Sequence, residues 1–156
     1  MVYMKWPESL DTGVALIDQQ HRRIVDQINS LSAARDEDDG DKVLATLAAL
    51  SEYTAVHFAV EEALMEQCAY PYLKAHRRIH ELFTRKLREF VGQARDGEDV
   101  GAELLFMLRR WIINHVGNDD ADYAPAARRM LREQAAHAEA AARPGRHVRP
   151  ALQAAG

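Results

Sequence analysis

Cys68 is the only cysteine in the sequence, so no disulfide can form within the chain, which fits a reducing compartment. No run of about eighteen uninterrupted apolar residues occurs, so no membrane-inserted helix is expected. The opening residues, Met1 to Glu8, hold none of the apolar stretch that a secretory leader needs. An excess of one charge is missing as well. The 20 Lys and Arg stand against 24 Asp and Glu, a net charge of −4, and this gives nucleic acid or an anionic membrane no electrostatic hold. Strand-type alternation is nearly absent. These absences predict a soluble, cytoplasmic, α-helical protein.

What remains is ordinary globular material, 156 residues that are 47% hydrophobic and 28% charged. That is enough for one domain with its own core. Four stripes recur at steps of three and four, the signature of amphipathic helices. The first runs Val14, Ile17, His21, Ile24, Ile28, Leu31 and ends at an acidic stretch, Arg35 to Asp41, that reads as a solvated loop. The second is Leu47, Leu50, Thr54, His57, Glu61, Leu64, Cys68, stopped by Tyr70-Pro71-Tyr72. The third is Leu73, His76, His80, Phe83, Leu87, Phe90, closing near Gly92 with Arg95-Asp96-Gly97 as the turn. The fourth is Gly101, Leu104 or Leu105, Leu108, Ile112, His115, with Gly117 soon after.

Short connections make such helices antiparallel neighbours, which predicts an all-α, up-down-up-down four-helix bundle. The segment up to about Asp11 is expected to be an N-terminal arm with Trp6 packed on the bundle. An Ala- and Arg-rich stretch from Ala124 to Arg143 predicts a short C-terminal helix, and residues 144–156 a disordered tail. The bundle with its arm would thus occupy residues 1–123 and the extension 124–156. The polar outer faces of the helices predict a monomer.

Five of the seven histidines, His21, His57, His76, His80 and His115, fall on the inward stripes, and Glu61 joins them. His57/Glu61 and His76/His80 are i, i+4 pairs, so each places two side chains on one helix face. Asp120 lies five residues after His115, off one face of a regular α-helix. Both can point inward only if the helix loosens there, and Gly117 and Asn118 are suited to that irregularity. A single core histidine is usually a hydrogen-bonded structural residue. Seven such groups from four helices would each cost several kcal/mol if buried unpaired, and a metal offsets that cost by direct bonds. With both carboxylates bridging and one oxide or hydroxide between the ions, the set fills all but one of the positions that two octahedral metals offer. The open position would suit a small ligand.

These residues resemble the hemerythrin family, in its single-domain bacterial form. The likeness covers Trp6 to about Tyr123 and rests on Trp6, Thr12-Gly13-Val14, Ile17-Asp18-Gln19-Gln20-His21, His57-Phe58-x-x-Glu61-Glu62, His76-x-x-x-His80 and Trp111-x-x-x-His115-x-x-x-x-Asp120. The resemblance implies a four-helix bundle holding two non-haem iron ions bridged by oxide or hydroxide, with reversible O2 binding for storage, transport or delivery in a bacterium. It implies that His76, His80 and His115 hold the coordinatively full iron. His21 and His57 would hold the iron with the vacancy, and Glu61 and Asp120 would bridge. Ile24, Phe58, Trp111 and Ile112, each one turn from a ligand, are expected to line the O2 pocket or else simply to pack the core. Phe58 and Trp111 are candidates to stack on one another, and Cys68 is expected to be a buried, inert thiol.

Three other functions compete. An O2 or redox sensor would have to signal through the C-terminal extension by changing a partner's binding; Arg143, Arg146 and Arg149 could dock an acidic partner, an unknown protein acceptor, although a solvated tail is the default reading of them. A di-iron oxidase or peroxide-consuming enzyme of ferritin-like type would use Glu-x-x-His pairs, which this chain lacks. A closed tetrahedral zinc needs fewer ligands than the seven present. The expectation is therefore an O2-binding protein and no enzyme.

Overall fold

In the computed structural model, which describes residues 2–143, the chain is helical from Ala15 onward. The helices are α1 (Ala15–Asp36), α2 (Gly40–Gln67), α3 (Leu73–Arg95), α4 (Gly101–Asn114) and α5 (Ala121–Ala142). The segment His115–Asp120 between α4 and α5 is π-helical, so the chain runs without a break from Gly101 to Ala142. α1 packs along α2 and α4, and α2 packs along α1 and α3. This is the all-α bundle that the four stripes predict.

The acidic run read as a loop is mostly helix. Only Glu37, Asp38 and Asp39 separate α1 from α2. The Asp39 carboxylate accepts from the Lys42 N–H at 2.9 Å and caps α2, so part of the apparent solvation signal was an N-cap. The C-terminal helix is also longer than a short extension, 22 residues starting at Ala121. Its first turns bury Tyr123, Ala124 and Ala127, whereas Leu131 to Arg143 are exposed throughout. The tail expected at residues 144–156, with Arg146 and Arg149, lies outside the described residues. α2 is long and apolar enough, by length and composition, to cross a membrane, with mean hydropathy 1.4. Here its inward stripe, Leu47, Leu50, His57 and Glu61, is the core face of a bundle helix.

The arm lies on the bundle through specific bonds. Met4 exchanges two hydrogen bonds with the Asn29 side chain, each 2.9 Å, and Trp6 stacks on His21 with ring centroids 5.5 Å apart. Asp18 then fixes the entry into α1 by accepting from the Thr12 N–H and hydroxyl, both at 2.7 Å, and from the Gly13 N–H at 3.0 Å. Gly13 is needed at that turn, since its φ is +75° and a Cβ there would meet the Arg128 Cδ at 2.9 Å.

Two apolar clusters fill the interior. The larger gathers Ile24, Ile28, Leu47, Phe83, Leu87 and Leu108 with their neighbours, and the smaller gathers Val14, Ile17, Met65, Tyr123 and Ala127. Along every helix the predicted ligands fall between the two. His21 lies between Ile17 and Ile24, His57 and Glu61 between Leu50 and Met65, and His115 between Ile112 and Tyr123. The site is a polar layer sandwiched in a dry core.

Candidate metal centre

All seven predicted ligand residues are buried, and their side chains meet in that layer. Ligand-capable atoms of Glu61, His76, His80, His115 and Asp120 lie within 4.8 Å of one another, as do those of His21, His57 and Glu61. Glu61 belongs to both groups. Asp120 spans them too, because Oδ1 is 3.1 Å from His115 Nε2 and 3.3 Å from His76 Nε2 while Oδ2 is 3.1 Å from His21 Nε2. Glu61 Oε2 is 3.3 Å from His80 Nε2 and 3.5 Å from His57 Nε2.

The π-helical turn explains how His115 and Asp120 converge. A π-helix closes i→i+5 hydrogen bonds, so residues five apart come into register, which an α-helix denies them. The loosening expected around Gly117 and Asn118 takes this form.

Three outer hydrogen bonds set the chemistry of the inward nitrogens. His57 Nδ1 meets Gln20 Oε1 at 2.8 Å, His80 Nδ1 meets Glu62 Oε1 at 2.9 Å, and His115 Nδ1 meets Asp119 Oδ2 at 3.0 Å. Since these oxygens can only accept, each Nδ1 is the donor, and each ring, once neutral as metal binding requires, turns an Nε2 lone pair inward. Those lone pairs crowd one another. His76 and His80 Nε2 are 3.0 Å apart, and His80 and His115 Nε2 are 3.2 Å apart. Both nitrogens of His21, Glu61 Oε2 and both Asp120 oxygens are buried without a hydrogen-bond partner. A convergent set of lone pairs and orphaned carboxylate oxygens in a dry core lacks one thing, positive charge. Imidazole and carboxylate donors of this kind suit iron.

The ionisation pattern points the same way. Burial drives His57 down to about 4 despite the pull of Glu61. Burial also opposes a charge on His115, yet its hydrogen bond to Asp119 and the Asp120 carboxylate 3.1 Å from its Nε2 push it up to about 10. Burial would raise both carboxylates, but the surrounding histidines hold Glu61 below its ordinary value and Asp120 well below. Without a metal, a proton on His115 supplies part of the missing positive charge.

Four residues at the site carry no role in the sequence reading. Asp119 could have been found, since it lies one turn after His115. Gln20, Glu62 and Tyr123 could not, because each reaches a ligand candidate from another helix. The Tyr123 hydroxyl donates to Glu61 Oε1 at 2.8 Å, and burial together with the carboxylates pushes its phenol far above the ordinary range, so it stays a donor.

The four expected pocket residues divide. Phe58 stacks on His80, with centroids 3.9 Å apart and planes within 9°, and Trp111 stacks on His115 at 4.4 Å and 17°. Ile24 and Ile112 are buried in the same apolar cluster as Phe58. Phe58 and Trp111 do not stack on each other. They meet edge to face at 5.6 Å, since the face of Trp111 is taken by His115 and by Phe83 at 3.8 Å. Cys68 ends α2 and is only partly buried, its thiol bonded to the Met65 carbonyl at 3.5 Å and its pKa raised by burial.

An antiparallel helical bundle enclosing a buried His/Glu/Asp metal centre is the class of protein that this fold and site define. The family profile described as "Hemerythrin HHE cation binding domain" matches residues 12–127. The chain is 43% identical over 133 residues to the "Bacteriohemerythrin" of Pseudomonas aeruginosa, covering 85% of this chain and 87% of that one. It is 38% identical, with the same coverage, to the one from Stenotrophomonas maltophilia. A solved structure titled as wild-type hemerythrin superposes with a TM-score of 0.76 at 26% identity, over 80% of this chain and 98% of that one. The chain belongs to the hemerythrin family.

Proposed function

We propose that this protein binds O2 reversibly at a non-haem di-iron centre bridged by oxide or hydroxide, for storage, transport or delivery of oxygen in a bacterium. The observation that carries this reading is the unequal sharing of donors around two overlapping groups. His76, His80 and His115 would complete one iron, His21 and His57 would leave the second short of a ligand, and Glu61 and Asp120 would bridge. A reduced iron pair so bound would supply the electrons with which O2 is held and later given back.

The chain's own residues have three tasks in this reading. Gln20, Glu62 and Asp119 hold three imidazoles in the tautomer that points a lone pair inward. Tyr123 keeps its proton and donates to Glu61 Oε1, which fixes the orientation of that carboxylate. Ile24, Phe58, Trp111 and Ile112 keep the vacancy dry, which slows loss of reduced oxygen species to water and protons. No acid or base beyond the ligands and their partners is used, so the reading is binding and not catalysis. The unpaired Cys68 agrees with a cytoplasmic setting.

A sensor reading draws on one observation. The exposed stretch Leu131–Ala142 continues the helical rod that begins at α4 and includes Asp120, so a change at the site has a stiff path outward.

The test is metal content of protein purified without added metal, followed by visible spectra after anaerobic reduction, O2 exposure and degassing. Two irons per chain and a charge-transfer band that vanishes on degassing are expected. Irreversible oxidation would favour the sensor or an enzyme, and zinc alone with no colour would remove the di-iron reading.

A further inference from the structure

Of the three oxygens that accept from outer histidine nitrogens, the one on His80 belongs to a side chain that is itself held from behind. Glu62 is a residue of α2, yet both of its oxygens are taken by α3. Oε1 accepts from His80 Nδ1 at 2.9 Å and Oε2 accepts from Arg77 Nε at 2.8 Å. Arg77 and His80 stand three apart on α3, a spacing that makes them neighbours on the helix surface. Nothing comparable backs the other two. Gln20, on His57, is a neutral amide. Among the described residues Asp119, on His115, forms no ion pair with a lysine or arginine.

His80 is the ring where such support counts most. Its Nε2 is 3.0 Å from His76 Nε2, 3.2 Å from His115 Nε2 and 3.3 Å from Glu61 Oε2, so it borders on three other candidate ligands. Phe58 covers one face of the ring. The other anchor is less secure. Glu62 and His80 line a cavity of about 480 Å³ between α2 and α3, and the Glu62 side chain is 20% exposed. A glutamate at such an edge has several rotatable bonds and water competing for it, so one hydrogen bond to an imidazole leaves it free to swing. A guanidinium on the second oxygen removes that freedom through a charge-assisted bond. An ion pair this exposed adds little to overall stability, and its effect is local to the ring it steadies.

We propose that Arg77 is a positioning residue of the metal centre, which through Glu62 fixes His80 in the orientation and tautomer that present Nε2 to the metal shared with His76 and His115. The proposal rests on the reading of His80 as a ligand and on nothing in the O2 chemistry. It gives a task to a surface cation that touches no ligand candidate. The next residue supplies a control. Arg78 pairs with Glu81 at 2.9 Å, an ion pair of the same kind and more exposed, and among the described residues Glu81 has no hydrogen bond to a histidine.

The probe is the ferrous ion itself, titrated anaerobically into full-length metal-free protein against a competing chelator. Loss of an outer partner of a metal-bound imidazole costs about 10–100-fold in affinity. Arg77 stands one bond further out, so Arg77→Ala is expected to weaken ferrous binding by about three- to tenfold, with unchanged circular dichroism. Arg77→Lys should recover most of that loss, and Arg78→Ala should cost nothing. Glu62→Gln keeps an acceptor for His80 but no charge to hold Arg77, so adding Arg77→Ala to it should cost less than about twofold more. In metal-free protein carrying isotope-labelled histidine, ring-nitrogen NMR should find a proton on His80 Nδ1 and a smaller population of that form in Arg77→Ala. Unchanged affinity in Arg77→Ala, an equal loss in Arg78→Ala, no recovery with lysine, the full loss persisting beside Glu62→Gln, or an unmoved His80 signal would each overturn the proposal. His80→Ala separates it from the ligand reading. Ferrous binding that survives His80→Ala intact would refute both. Binding lost in His80→Ala and untouched in Arg77→Ala would refute the role of Arg77 alone.

Discussion

The Tyr123 hydroxyl donates a 2.8 Å hydrogen bond to Glu61 Oε1, tying the first turn of α5 to a carboxylate on α2. Both side chains are fully buried, so this oxygen has no water to fall back on. The bond also makes α5 part of the site, since a helix that begins beyond the last predicted ligand supplies a donor to the carboxylate shared by the two groups.

Tyr123→Phe keeps the ring in the smaller apolar cluster and removes only the donor. Hydrogen bonds to charged groups contribute about 1.5–3 kcal/mol, and the loss should fall in that range. Denaturant unfolding of the metal-free variant should show it as a lower midpoint at unchanged slope. An unaltered midpoint would mean that Glu61 does not depend on Tyr123.

Gln20→Ala frees His57 to rotate and to change tautomer, since Gln20 is its Nδ1 partner at 2.8 Å. Loss of such an outer partner typically costs about 10–100-fold in metal affinity. Competition with a chelator should strip one metal from the variant well before the second. Simultaneous loss of both, or wild-type retention, would argue against His57 serving its own metal position.

The metal-free protein should be most stable near pH 6.5. His57 titrates at about 4 when folded against an ordinary value of 6.5, so the unfolded chain takes up more protons as pH falls through that window and stability declines. His115 titrates at about 10 when folded, so its contribution is complete below 6.5 and is lost as pH rises toward 10. Thermal melts of chelator-treated protein across this range should trace a dome. Metal loading replaces the proton on His115 and should flatten the alkaline side, and an alkaline decline equally steep with metal would contradict that exchange.

Gly13→Ala places a Cβ at φ +75° and 2.9 Å from the Arg128 side chain. The left-handed conformation alone costs a residue with a Cβ about 1–2 kcal/mol. Arg128 donates to the Thr12 carbonyl, so moving it also disturbs the α5–arm contact. A fall in melting temperature with unchanged metal stoichiometry is expected, and metal loss in parallel would show that the arm helps to build the site.

Much of the site could be read from spacing because each ligand pair sits on one helix. His57/Glu61 and His76/His80 need only the geometry of a single α-helix to face inward, and the five-residue step from His115 to Asp120 called for the loosened turn that the π-helical segment supplies. Spacing failed where a partner comes from elsewhere. Gln20 reaches His57 from α1, and Trp111 faces Phe83 and not Phe58 because α3 and α4 determine which ring lies opposite which. The acidic run at Arg35 to Asp41 misled because Asp and Gly are common both in loops and at the helix ends where Asp39 caps.

By itself, then, the sequence determined the periodicity, the bundle and the seven inward-facing candidate ligands, all of which follow from local helix geometry and the cost of burying polar groups. Tertiary packing alone decided the rest: the sharing of Glu61 and Asp120 between two groups, the Tyr123 donor and the stacking of Trp111 between Phe83 and His115. Those features depend on how helices distant in sequence are placed side by side, and the spacing along one chain holds no record of that.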